Sequence, residues 1–158
     1  PGVMIGVTVA DCVPILLFDP VKKVIAAVHS GWQGTATRIT AQAVAGMKQV
    51  FGSRPGDIQA AIGPCINSCC YEVDQPVKDG FKAQPDLWNA VAEPAGSGKW
   101  RLDLALANRI QLEDAGLQLA AIQTLAHCVC CQKEWFFSYR RDEGETGRQM
   151  GFIMLKDA

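Results

Sequence analysis

The chain has 158 residues, 49% hydrophobic and 20% charged, the balance of a globular domain with an apolar core. A formal net charge of −1 leaves no basic face for nucleic acid or an anionic membrane. The longest apolar runs, such as residues 13–18, are far too short to cross a bilayer, and no secretory signal opens the sequence, so the expected location is cytoplasmic.

Pro1-Gly2 leads directly into a β-branched strand over residues 3–9. A domain that starts in mid-sheet is expected to lack an N-terminal part, so residues 1–158 read as one N-terminally truncated domain. A second apolar strand covers 14–18. Asp19-Pro20 with Lys22-Lys23 marks a turn, and a third strand over 24–28 ends at His29. Thr35 is placed to cap a helix over 36–50, with Ile39, Ala43, Met47 and Val50 along one face and Gly52 and Pro55 beyond its end. A strand over 58–62 stops at Gly63-Pro64. Residues 74–95 read as two short helices or irregular turns. Asp103 caps a helix running to about Asp114, with Leu106, Ala107 and Ile110 inward and Gly116 closing it. Strands follow over 119–125 and 149–155, separated by a polar loop over 140–147. Without strict strand–helix alternation, the expected class is α+β, with mixed β-sheets flanked by helices.

Only two histidines are present, His29 and His127. His29 ends one strand and Cys12 follows another, so the two can meet beside a pocket. A thiolate with an imidazole suits zinc. The same pair suits a cysteine nucleophile with its base, and a strand-end cysteine is also an ordinary small core residue. Of the seven cysteines, Cys65, Cys69 and Cys70 form one cluster and Cys128, Cys130 and Cys131 another. These read as a second metal site or as buried thiols; their spacing lacks the paired C-x-x-C of a zinc ribbon, which favours buried thiols. Arg140, Arg141 and Arg148 can fork onto phosphate or carboxylate, or stand in a solvated loop neutralised by Asp142, Glu143 and Glu145.

Several segments match one pattern in order. Thr8-Val9-Ala10-Asp11-Cys12-Val13-Pro14 resembles T-A-D-C-x-P. Val28-His29-Ser30-Gly31-Trp32-Gln33-Gly34 resembles V-H-A-G-W-R-G. Gly63-Pro64-Cys65-Ile66 with Cys69-Cys70-Tyr71-Glu72-Val73 resembles G-P-x-I-x-x-C-x-Y-E-V. Leu102-Asp103-Leu104 with Ala107-Asn108 and Gln111-Leu112 resembles L-D-L…A-N-x-x-Q-L. Phe136-Phe137-Ser138-Tyr139-Arg140-Arg141-Asp142 with Thr146-Gly147-Arg148 resembles F-F-S-Y-R-R-D…T-G-R. Together they resemble the YfiH-type, or laccase-domain, family.

The resemblance implies a purine nucleoside phosphorylase with adenosine deaminase and methylthioadenosine phosphorylase activity. It implies a catalytic zinc, with copper as an occupant in vitro, phosphate as co-substrate and a small nucleoside as partner. Cys12 and His29 take the positions of two metal ligands. The family's third, an upstream histidine, has no counterpart, since the chain begins after that point, and His127 aligns elsewhere. Gln33 stands where the family usually has arginine. In this reading water on the zinc attacks purine C6, while Arg140, Arg141 and Arg148 are the candidate phosphate binders. The older polyphenol oxidase label is discounted, because two histidines cannot build a mononuclear and a trinuclear copper site. Two rivals remain. One is a metal-independent cysteine hydrolase or deamidase using Cys12 and His29, on a fold similar to the catalytic domain of cytotoxic necrotizing factor. The other is a non-catalytic metal-binding protein.

Overall fold

The computed structural model describes residues 1–156. Strand β1 (Met4–Val9) pairs antiparallel not with its sequence neighbour but with β9 (Gln149–Met154), with Met4 opposite Met154 and Val9 opposite Gln149. Each strand of this ribbon alternates, turning Ile5, Val7 and Ile153 toward the body of the protein and Met4, Met150 and Phe152 outward.

The central sheet is built on β2 (Val13–Asp19), a nearly continuous apolar run buried along its length. It forms the expected hairpin with β3 (Val24–Ser30), and Asp19 builds the turn: its Oδ1 accepts the amides of Val21 at 2.8 Å and Lys22 at 2.9 Å. On the other side β2 pairs antiparallel with β4 (Gln59–Ile62), which pairs parallel with β8 (Ile122–Thr124). The mixed sheet order β3-β2-β4-β8 and the flanking helices establish the α+β class.

The helix expected over 36–50 is two helices, α1 (Trp32–Ala36) and α2 (Ile39–Phe51). Arg38 at φ +59° breaks the run, and Gly52 at φ +69° ends it. Thr35 therefore does not cap a helix. It lies buried inside α1, and its Oγ1 donates back to the Gly31 carbonyl at 2.9 Å. The fully buried residues of α2 are Thr40, Val44 and Met47; Ile39 and Ala43 of the expected stripe pack partly buried against the core, and Val50 alone of that stripe stands out in solvent.

Residues 74–95 supply α3 (Gln75–Gly80) and α4 (Pro85–Val91), each with proline in its first turn. A third sheet was not foreseen: β5 (Glu72–Val73), β6 (Ala92–Gly96) and β7 (Lys99–Leu102), in the order β5-β7-β6. Helix α5 (Leu104–Asp114) starts as expected, with Asp103 accepting the Leu106 amide at 2.8 Å. Its fully buried face is Leu104, Ala107, Asn108, Gln111 and Leu112; Leu106 and Ile110 pack only at the margin. The strand expected over 119–125 shortens to β8, preceded by a 3-10 turn at Leu119–Ala121.

The core lies between the central sheet and helices α2, α4 and α5, where Ile15, Leu17, Ile62, Leu102 and Leu112 are fully buried. Complete burial of such side chains is worth about 1.5–3 kcal/mol each. No helix among the described residues is long and apolar enough to cross a membrane.

Candidate active site

The chain leaves β1 through Ala10 and turns at Asp11, whose φ of +79° is a left-handed conformation that aspartate tolerates better than most residues. That turn delivers Cys12 to the entrance of β2. In the β2–β3 register Val13 faces Ser30 and Pro14 faces His29, which sets Cys12 beside Gly31. Residues two apart on a strand share a face, so Cys12 and His29 rise from one face as diagonal neighbours. Both line a cleft of about 350 Å³, together with Asp11, Trp32, Ile66 and Tyr71. Two larger grooves, of about 560 and 590 Å³, hold no thiol or imidazole in their walls, so size alone does not mark the site.

Gly31 is required here. A Cβ at that position would lie 2.9 Å from the Cys12 sulfur, so only glycine lets the thiol settle against β3. Cys12 is partly buried and His29 exposed, with no hydrogen bond between them among the described residues. Burial and the Asp11 carboxylate push the Cys12 thiol upward, opposed by Arg148. Burial likewise pushes Tyr71 up to about 12, so its phenol keeps its proton and serves the cleft as a donor. A borderline-soft thiol and an imidazole facing one cleft, over a glycine cradle that seats the sulfur, form a donor set suited to zinc.

The three arginines differ. Arg141 has all five of its N–H groups engaged: Nε and Nη2 grip Asp142 at 2.7 and 2.9 Å, and the rest reach the carbonyls of Val129, Cys130 and Phe136. Arg141 therefore fastens the loop and has no donor left for an anion. The Arg141 guanidinium and the Thr146 hydroxyl hold the Asp142 carboxyl at about 2. Arg140 lies over the Tyr71 ring at 5.2 Å and gives one donor to the Glu72 carbonyl at 2.9 Å. Arg148 bonds the carbonyls of Thr146 and Gly147 through Nη1 alone. Arg140 and Arg148 are both exposed and keep donors directed to solvent.

One residue that holds the site was not singled out from the sequence. Asp11 is buried, and its carboxylate accepts the Ser138 hydroxyl at 2.7 Å and the Arg140 amide at 2.6 Å. It thus ties the arginine loop to the Cys12 turn. Its position beside Cys12 in the A-D-C element was the available signal. Of the cysteine clusters, Cys65 is a core thiol, pushed up to about 12 by burial. Cys69, Cys70, Cys128 and Cys131 come together in space.

Residues 1–156 match the family model described as multi-copper polyphenol oxidoreductase laccase, and the chain belongs to this YfiH-type family. It is 39% identical over 157 residues to purine nucleoside phosphorylase YlmD of Bacillus subtilis, covering 99% of this chain and 56% of that protein. It is 41% identical to adenosine deaminase RL5 of an unknown prokaryotic organism, covering 98% of this chain and 59% of that one. Among solved structures, hypothetical protein YfiH of Bacillus licheniformis superposes with a TM-score of 0.95 at 41% identity, covering 99% of this chain and 59% of that chain. The chain thus spans a little over half the length of these relatives.

Proposed function

We propose that the protein is a zinc-dependent purine nucleoside phosphorylase that also deaminates adenosine and cleaves methylthioadenosine. The observation that carries this reading is the convergence of Cys12 and His29 on one cleft, in a chain about 40% identical to relatives named purine nucleoside phosphorylase and adenosine deaminase. Cys12 and His29 would hold the metal, whose chemistry when bound is to polarise a substrate atom and lower the pKa of a water to about 7. The chain's own residues do the rest. Arg140, which borders the adjoining groove beside Trp32 and Tyr71, and Arg148 would meet the phosphate with their remaining guanidinium donors, while the protonated Tyr71 hydroxyl would offer a donor to the nucleoside and Trp32 an aromatic wall. Asp11 ties the arginine loop to the Cys12 turn.

The full-length protein should release hypoxanthine from inosine only when phosphate is present, and ammonia from adenosine without it. Cys12→Ala and His29→Ala should each cut kcat/KM by more than the roughly 10–100-fold that loss of an outer-shell partner costs a metal site. Wild-type turnover by either variant overturns the reading. Activity that survives complete chelation but is lost to iodoacetamide identifies the cysteine hydrolase instead.

A further inference from the structure

The loop after β4 and the loop after β8 meet on the far side of Ile66 from the cleft. Cys65 and Cys128 form an isolated parallel bridge, and the Val129 amide donates to the Cys65 carbonyl at 3.0 Å, which fixes the two segments side by side. From this seam Cys69 and Cys70 project from one loop and Cys128 and Cys131 from the other, and their four sulfurs all lie within 4.8 Å of one another. Cys69 Sγ is 3.8 Å from Cys70 Sγ and 3.7 Å from Cys131 Sγ, and Cys70 Sγ is 3.3 Å from Cys131 Sγ. All seven cysteines are free.

We infer that Cys69, Cys70, Cys128 and Cys131 form a tetrathiolate zinc site that clamps the two loops together, a centre separate from the Cys12–His29 pair. The separations among Cys69, Cys70 and Cys131, 3.3–3.8 Å, lie near those of a zinc tetrahedron, and Cys128 Sγ lies within 4.8 Å of all three. Four sulfurs at about 2.3 Å from one zinc stand roughly 3.8 Å apart along each edge of the tetrahedron. The surroundings match as well. The Asn67 amide donates to Cys128 Sγ at 3.5 Å, the kind of outer-shell bond that steadies a thiolate ligand. The backbone around the cluster is held as well: Arg101 Nη1 donates to the Cys69 carbonyl and Arg141 Nη1 to the Cys130 carbonyl, which fixes both ligand-bearing loops. Ion for ion, one zinc enters and each coordinating thiol releases its proton to solvent; no oxidant or reductant takes part. With four protein sulfurs the coordination sphere is closed, which makes the site structural rather than catalytic.

The consequence is mechanical. One clamped loop carries Ile66 and Tyr71 into the cleft, and the other leads through Phe136 to Ser138 and Arg140, which Asp11 receives. The clamp would hold the Ile66–Tyr71 wall of the cleft to the loop that Asp11 anchors, whether or not the nucleoside reading is right.

The test is zinc content and X-ray absorption on the full-length protein purified under reducing conditions, as wild type, Cys12→Ala and Cys131→Ser. The Cys12→Ala protein should retain about one zinc per chain with an all-sulfur shell at about 2.3 Å. Cys131→Ser should lose that zinc but keep the one dependent on Cys12. If Cys131→Ser does not fold, the absorption spectrum of the Cys12→Ala protein decides alone. The proposal is overturned if Cys12→Ala holds no zinc, if its zinc has nitrogen or oxygen ligands, or if Cys131→Ser keeps full zinc content. It is also overturned if mass spectrometry finds a Cys70–Cys131 disulfide as the resting form in freshly lysed cells.

Discussion

Asp11 does three things with one side chain. It tolerates a left-handed backbone, accepts a hydroxyl and accepts an amide, and the latter two belong to residues far along the chain. Asp11→Asn keeps the backbone conformation but turns an amide N–H₂ toward one of the two donors. Asp11→Ala leaves both without a partner and strains the turn. A buried donor left unsatisfied costs about 1–3 kcal/mol, so urea denaturation should rank stability as wild type, then Asn, then Ala. The KM for phosphate should rise in the same order, since Arg140 loses its anchor. Equal stability of all three proteins would show that the carboxylate holds nothing. At this scale the sequence was legible where a motif names residues that the fold brings to one cleft, as with Cys12 and His29. It was opaque where a residue's role depends on a remote partner. Arg141 has the chemistry of an anion binder, and no local pattern reveals that Asp142 and three backbone carbonyls occupy all its donors.

Among the elements, the junction of α1 and α2 is held by a buried polar network. Asn108 of α5 accepts the Thr40 hydroxyl at 2.6 Å and donates to Thr35 Oγ1 at 3.0 Å, while Gln111 donates to the Thr35 carbonyl at 2.7 Å. These side chains pair buried polar groups on both sides of the break at Arg38 and so tie α5 to α1 and α2. Asn108→Ala should therefore cost about 1–3 kcal/mol by chemical denaturation, as the buried Thr40 hydroxyl loses its acceptor while the Thr35 hydroxyl keeps the Gly31 carbonyl. A loss below about 0.5 kcal/mol, the range of ordinary surface changes, would refute the network's role. Strand and helix positions with strong periodicity were readable, including β2, β3 and α5. The helix break was not, because no glycine or proline marks Arg38. The sheet of β5, β6 and β7 was missed because its strands are short, polar and interrupted by Pro94, and owe their form to pairing rather than propensity.

For the molecule as a whole, the α+β class followed from the irregular order of elements, but no pattern in the sequence could say that the first strand pairs with the last. That pairing predicts the outcome of shortening the chain before Gln149. Val9, fully buried in the intact fold, loses the strand beside it, and the truncated protein should bind a hydrophobic dye and unfold without a sharp transition. A cooperative transition with no dye binding would mean that β1 is held by other contacts. There is a further consequence for the order of events on the ribosome. Residues 4–9 must wait until every element from β2 to β8 has been translated before their partner exists, so a nascent polypeptide stalled between them presents an unpaired apolar edge. The central sheet can assemble during synthesis; the ribbon that covers it can close only after Met154 has left the exit tunnel.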